Sequence, residues 1–515
     1  MKDVVLFFPK PWPSEEMTGR IPYSLLHLYS YLKGDENLDV KIVDERLVSN
    51  MPTFINELGD NILCFGISSF TGVQIANGLR IAGMLRSKFP DIPIIWGGWH
   101  PSCMPEQTLK NPLVDIVVRY QGEETFKHLL YTLIDKQPLS KVEGISYKHD
   151  TKIIHNPDRK LLPILENLKL SYDIIDVEKY IYKMPWGKRT VGMITSLGCP
   201  FNCGFCAVAT AYKRRVFFRN LDYVFKEIDY LVDKYKIDAV TFDDDNFFVS
   251  QKRVKEFCEI LINKPYRISW DAGAHVGLLL KNYDDETLKL IKESGCKQLY
   301  IGAESGSDEV LEIIGKKATV SQTFEYVRKM RKVGIKSFLS TMVCFPGSTS
   351  DDIYATMDMI LKCREIDPDL GYRLFYYTPY PKTPLYERAI EMGMKEPENL
   401  EEWSQHTLRK FKAPWIKKHF RHQVRFFYFY YFPYSADSLC SYYDPDAKLF
   451  KKILIRLYRL IFENRLLMRL AKWRIKNHCY KFQIDAYFVT QGQHLKSLYN
   501  RLINKRVDLF YDYED

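Results

Sequence analysis

The sequence predicts an α/β protein made of two successive blocks of alternating strands and helices, followed by a mostly helical tail. Three observations predict it. Residues 1–135 alternate short apolar runs with helical periodicity. Residues 189–390 repeat that alternation over six units. Beyond residue 400 the composition changes: 401–515 holds 22 Lys and Arg against 11 Asp and Glu, a net of +11, while the whole chain is +10, so residues 1–400 carry −1.

A length of 515 residues gives room for roughly two to four domains, and a composition of 46% hydrophobic and 27% charged residues is that of a globular chain. The expected division is 1–140, an open Rossmann-like sheet; 141–188, a connector; 189–390, a partial (β/α)6 barrel; and 391–515, a basic, aromatic-rich helical domain. Met1-Lys2-Asp3 runs straight into an apolar strand, so no secretory leader is expected. No run of about 18 apolar residues suggests a spanning helix. The 11 cysteines are odd in number and mostly scattered, which points to a reducing cytoplasm rather than a disulfide framework.

In the first block, strands are expected at 4–8, 38–43, 62–67, 92–96 and 116–118, with a helix over 21–32. Small and polar residues follow them: Ser68, Ser69 and Thr71, then Gly97, Gly98, Trp99 and His100, then Gly122 and Glu123. Open α/β sheets bind ligands outside the carboxyl ends of their strands, where glycine lets a cofactor approach the backbone. Ordinary turns use the same residues, so spacing alone leaves both readings open. In the connector, 143–148 and 152–155 flank His149-Asp150-Thr151 as a hairpin.

In the second block, strands are expected at 192–196, 239–242, 268–270, 298–301, 337–343 and 374–378, with helical patterns such as 221–235 and 285–294 between them. Barrel chemistry sits at the carboxyl ends of the strands. The first strand is followed by Cys199-Pro-Phe-Asn-Cys203-Gly-Phe-Cys206. Three thiolates at such spacing suit an iron–sulfur cluster, and three ligands on four irons leave one iron open to a substrate. Zinc would need a fourth ligand nearby, and the next downstream candidates, Cys258 and His275, are distant. Inert buried cysteines are the remaining alternative. The second strand ends in Asp243-Asp244-Asp245 and the fourth in Glu304-Ser305. Carboxylates there suit an ammonium or a ribose diol, and a solvated charge run is the competing reading.

The cysteine stretch resembles the CxxxCxΦC signature of radical S-adenosylmethionine (SAM) enzymes, with Phe205 as Φ. The resemblance implies a [4Fe–4S] cluster on Cys199, Cys203 and Cys206, Phe205 against the adenine, and Asp243, Asp244, Asp245, Glu304 and Ser305 around SAM. Many relatives carry an Arg where this chain has His275, which leaves that residue without an assigned role. Gly97-Gly98-x-His100-Pro, Pro105-Glu106, 115–118 and Gly122-Glu123 resemble the cobalamin-binding domain that precedes many radical SAM domains. That implies cobalamin held by Ser68, Ser69, Thr71, Gly97, Gly98, Trp99, His100, Gly122 and Glu123. The Asp-x-His-x-x-Gly motif that supplies histidine to cobalt elsewhere is absent, and His100 has a structural position instead.

The family implication is a cobalamin-dependent enzyme that cleaves SAM to a 5′-deoxyadenosyl radical, methylates an unactivated carbon and draws electrons from a reductase or a flavodoxin or ferredoxin. Within the class, the alternative is an oxidative cyclase of the anaerobic Mg-protoporphyrin monomethyl ester type; outside it, a non-catalytic cluster- or zinc-bearing binding protein. The tail carries seven aromatics at 426–432, and its helical spacing over 447–477 suits two helices breaking near Asn464. Three readings compete for it: a lid over a small-molecule or lipid-like substrate, a peripheral contact with anionic membrane, and, last, nucleic-acid binding. No RNA-binding motif appears, and the extra N-terminal cluster cysteines usual in tRNA-modifying relatives are missing.

Overall fold

Val4, Val5, Leu6 and Phe7 are apolar on both sides of their strand, a pattern that suits a strand covered on both faces. In the computed structural model, which describes residues 1–11, 19–407, 411, 413–417, 465–477, 479 and 484–486, that strand lies inside a seven-stranded sheet. Its strands are β1 (Lys2–Phe8), β2 (Leu38–Asp44), β3 (Ile62–Ser68), β4 (Ile94–Gly97), β5 (Ile116–Val118), β6 (Ile145–His149) and β7 (Lys152–His155), in the order β2-β1-β3-β4-β5-β6-β7. β1 to β5 pair in parallel, so the loops after β3, β4 and β5 share one edge. β6 pairs antiparallel with β5 and β7 with β6. The hairpin expected in the connector is therefore the outer part of the first sheet: the free edge of β5 extends the ladder instead of releasing the chain.

The second sheet has the order β16-β15-β14-β13-β12-β9-β8 and does not close. Its strands are β8 (Tyr182–Met184), β9 (Gly187–Met193), β12 (Ala239–Phe242), β13 (Ser269–Ala274), β14 (Cys296–Glu304), β15 (Lys336–Val343) and β16 (Gly371–Tyr376). The six strands from β9 to β16 are parallel, which is the partial barrel. β10 (Ser196–Leu197) and β11 (Phe217–Phe218) form a separate small ribbon. The first barrel strand was expected at 192–196, but it ends at Met193: Thr195 and Ser196 leave the ladder to bond the Asp244 carboxylate.

The helices follow their apolar spacing. In Leu221–Tyr235, residues Leu221, Val224, Phe225, Ile228 and Leu231 form one buried face, Asn220 caps the start through the Asp222 N–H, and Lys236 ends it in the left-handed conformation. That face packs on Val191, Val240, Phe242 and Trp270 of the sheet. The opposite sheet face is different. In register across β9, β12, β13 and β14 it carries Gly192, Thr241, Asp271 and Gln298, so the concave side is polar.

After the barrel the chain returns to the first sheet. Tyr386, Ala389, Leu400 and Trp403 join the core of Ile75, Ile81, Trp96 and Leu109. Gln107 and Asn111 of the first block bond Pro397 O at 2.6 Å and Glu401 Oε1 at 2.9 Å. Farther on, Ala471 and Ile475 of the helix Arg465–Lys476 pack with Val343, Ile353 and Ile360 near the barrel's β15. The aromatic run at 426–432 and the expected break near Asn464 lie outside the described residues. Among the described residues, no helix is long and apolar enough to cross a membrane.

Trp403 is fully buried in the core of the first sheet. Trp403→Ala is expected to lower unfolding stability by about 3–5 kcal/mol, the usual cost of emptying a large aromatic site. Denaturant titration checks this; a loss below about 1 kcal/mol would mean that the returning segment does not anchor on the first sheet.

Candidate active site

A loop of eight residues with three cysteines has too few backbone bonds of its own to fix its shape. Other elements supply them. Gly198 opens it at φ +91, and a Cβ there would lie 2.1 Å from Arg215 O, so no other residue fits. Its N–H donates to Asp245 Oδ2 at 2.7 Å. Gly204 N–H donates to Ile314 O, and Gly204 O accepts from Leu385 N–H, both at 2.8 Å. The His275 ring stacks on Phe201 with centroids 3.8 Å apart and planes at 6°. Its Nε2 bonds Lys316 O at 2.8 Å, and burial lowers its pKa to about 4 with the Lys316 charge adding, so it is a neutral strut between two loops.

Cys199, Cys203 and Cys206 are free thiols around this loop. Burial raises all three, Cys206 to about 12, while Lys316 is the strongest opposing influence on Cys203. Among the described residues, no three His, Cys, Asp or Glu side chains gather closely enough for a single metal ion. The donor set is thiolate-only at short sequence spacing, which fits a polynuclear iron–sulfur group. Phe205 is half-buried beside Phe345, ring centroids 5.9 Å apart.

The three aspartates do not act together. Asp243 meets the Arg20 guanidinium of the first block at 3.0 Å, and burial raises its pKa against that charge. Asp244 is buried and spends both oxygens on Thr195 N–H, Thr195 Oγ1 and Ser196 Oγ; burial lifts it to about 6 against those bonds. It shapes the loop. Asp245 is exposed and holds Gly198. Ser305 is buried, accepts from Ser307 N–H and meets Thr356 Oγ1 at 3.3 Å. Glu304 is paired with Lys316 Nζ at 2.9 Å, both side chains 7% exposed.

At the first sheet, Gly98 has φ +95, and a Cβ would lie 2.8 Å from Ser69 O. Ser69 is fully buried and carries this turn; its O also accepts His100 N–H. Ser68 Oγ meets Ser24 Oγ at 3.1 Å. Thr71 Oγ1 meets His100 Nδ1 at 3.0 Å. His100 is enclosed under Trp403, burial drops its pKa to about 3, and its Nε2 is buried without a partner. Trp99 has a buried indole N–H with no partner, and Phe70 is 52% exposed between Ser69 and Thr71. An orphan donor and an open aromatic face beside two glycines fit a large ligand with its own acceptors. Gly122 precedes Glu123, which is buried against His27 Nδ1 at 3.7 Å.

One chain of buried groups links the two edges, and no local pattern in the residues marks it. Tyr23 OH donates to Gly192 O at 2.6 Å and meets Tyr172 OH at 3.2 Å. Tyr172 bonds Glu227, which pairs with Arg219; Arg219 donates to Ile194 O at 2.9 Å. Burial raises the Tyr212 phenol, and the charges of Asp245 and Glu123 add to this.

Residues 193–360 match the Radical SAM superfamily and residues 21–130 match the B12 binding domain. An uncharacterized methyltransferase of Pyrococcus horikoshii is 31% identical over 392 residues, 73% of this chain and 82% of that one. The chain belongs to the cobalamin-binding radical SAM family. The anaerobic magnesium-protoporphyrin IX monomethyl ester cyclase of Rubrivivax gelatinosus is 27% identical over 391 residues, 74% of this chain and 68% of that one. The fold is similar to the cobalamin-dependent S-adenosylmethionine radical enzyme OxsB, with a TM-score of 0.71 and 16% identity over 98% of this chain and 75% of that one. Radical SAM membership brings a [4Fe–4S] cluster and SAM, and the B12 binding domain brings cobalamin. The protein is an enzyme, which removes the reading as a non-catalytic binding protein.

On the concave barrel face, Asp271 is fully buried; Oδ2 accepts from Thr241 Oγ1 at 3.1 Å and Oδ1 has no partner. Burial raises its carboxyl from 3.8 to about 7. The folded state therefore keeps a proton that the unfolded chain has already lost, so this group's contribution is fully present below pH 3.8 and is lost as pH rises toward 7. Asp271→Asn is expected to flatten that decline, by up to about 4 kcal/mol across the window. Denaturation of the cofactor-free chain from pH 4 to 8 checks it; parallel curves for both proteins would refute the raised carboxyl.

Proposed function

We propose that Cys199, Cys203 and Cys206 hold the cluster, that Phe205 lies against the adenine of SAM, and that Asp243 takes the SAM ammonium. Asp243 already faces a cation, because the Arg20 guanidinium sits on it. Ser68, Thr71, Gly97, Gly98 and Trp99 would line cobalamin, with Gly122 and Glu123 at the neighbouring strand end. The enzyme methylates an unactivated carbon of a small molecule, with electrons from a reductase or a flavodoxin or ferredoxin. When bound, the cluster supplies the electron that splits SAM to a 5′-deoxyadenosyl radical, and cobalamin supplies the methyl group.

One observation supports this pairing most. The helix Tyr23–Leu32 touches both sheets within two consecutive residues: Tyr23 bonds Gly192 of β9, the strand that feeds the cysteines, and Ser24 meets Ser68 at the end of β3. A single rigid element thus fixes the distance between the two cofactor edges. The chain's residues do the positioning, and the cofactors carry the bond-making chemistry. A second reading, oxidative cyclisation without methyl transfer, is favoured by the similarity to the Rubrivivax gelatinosus cyclase.

Two measurements test the proposal. Cys203→Ala should reduce iron in the anaerobically reconstituted chain from about four per chain to near zero; retention of the full complement would remove the cysteine loop from the site. SAM with a deuterated methyl group should pass its label to product. Deoxyadenosine formed with unlabelled, oxidised product would replace methylation by the cyclase reading.

A further inference from the structure

A cation of the first block stands on the acidic end of barrel strand β12. Arg20 Nη2 lies 3.0 Å from Asp243 Oδ1. The Asp243 carboxylate has little freedom to turn elsewhere. Asp243 N–H donates to Met193 O at 2.7 Å. Its Oδ2 packs over Gly192, where a Cβ would come within 2.8 Å of it. One carboxylate oxygen therefore lies against β9, and the other meets the guanidinium.

The two ends of Arg20 are held very differently. Its backbone is anchored: Arg20 O accepts from Arg46 Nη2 at 2.7 Å. Arg46 is itself paired with Asp44 and lies over the Phe8 and Tyr180 rings, 5.0 and 5.7 Å from their centroids. The residue before, Gly19, is pressed on the Tyr182 ring of β8: a Cβ there would lie 2.7 Å from its Cδ1. The guanidinium, by contrast, is open to water. The Arg20 side chain is 67% exposed, against 18% for Asp243. The backbone thus sets where the guanidinium reaches, while solvent competes for the guanidinium itself. An ion pair with a solvated partner contributes little and breaks readily. Two cations on one carboxylate oxygen also repel each other at such distances. A second cation arriving at Asp243 Oδ1 therefore meets a group that can leave by turning its side chain, with no movement of the chain that carries it.

We propose that Arg20 is a placeholder for the SAM ammonium: it pairs with Asp243 while SAM is absent and swings into solvent when SAM binds. SAM binding is then an exchange of one cation for another. The exchange also discriminates, because a nucleoside without an ammonium, such as 5′-deoxyadenosine, cannot take the place of Arg20. The inference rests on the proposed role of Asp243 as the ammonium partner.

The test is equilibrium dialysis of labelled SAM against the anaerobically reconstituted, cobalamin-loaded enzyme, with methylthioadenosine as the ligand that lacks the ammonium. Arg20→Met should tighten SAM binding by roughly two- to fivefold, the range of an exposed ion pair, and leave methylthioadenosine binding at the parent value. In an Asp243→Asn background, Arg20→Met should have no effect on SAM. An unchanged or weaker SAM affinity in Arg20→Met would overturn the proposal, the weaker value meaning that Arg20 helps to hold SAM. An equal gain for both ligands would overturn it too, because the exchange would then not depend on the ammonium. Asp243→Asn with the parent affinity for SAM would instead refute the Asp243 assignment, so the two failures are distinguishable.

Discussion

The eight residues from Cys199 to Cys206 form neither helix nor strand, so their shape must be imposed from outside. That demand organises the barrel's carboxyl edge. Asp244 pulls Thr195 and Ser196 out of the β9 ladder, Asp245 holds Gly198, Ile314 and Leu385 grip Gly204, and His275 clamps Phe201. These groups come from the ends of β12 and β13, the end of the helix Asp308–Ile313 and the start of the helix Pro384–Glu391. The open barrel matters because it brings such ends together; no local sequence preference would build this loop.

Buried charge is the means by which several of these positions are set. Arg219–Glu227 and Lys316–Glu304 are both almost wholly enclosed. Pairs of this kind contribute little net stability, because desolvation offsets attraction, yet removing one partner costs about 3–5 kcal/mol. They are better understood as fixing geometry. Arg219 aims its donors at the Ile194 carbonyl and at Glu227, whose other oxygen takes Tyr172, and so ties the cysteine strand to the first block.

Much of the fold was legible because it is written in local period. The parallel strands, the 221–235 helix and the hairpin at 143–155 follow from apolar spacing and turn residues. The cysteine motif was legible because its meaning lies in spacing alone. The rest depends on contacts the sequence does not display. Three successive aspartates read as one acidic cluster, yet past a strand end successive side chains diverge, and Asp243, Asp244 and Asp245 meet Arg20, Ser196 and Gly198 respectively. His100 read as structural, and the positive φ of Gly98 turns the chain and sends the ring under Trp403, a partner the sequence does not display. Lys316 drew no notice because its setting is made by the backbone of Glu304, twelve residues earlier. Tyr23 and Tyr172 meet across 149 residues.

The segment after the barrel, carrying Leu400 and Trp403, is buried in the core of the first sheet. The chain thus enters the first block, leaves it for the barrel and comes back to finish it. The two units are consequently not interchangeable cassettes. A fragment cut after the first sheet would expose the apolar seat of Trp403, and a fragment beginning at the barrel would carry that indole with nowhere to place it. Inheritance, expression and loss of function should therefore act on the pair as a whole, and substitutions at this seam would be felt at both edges together.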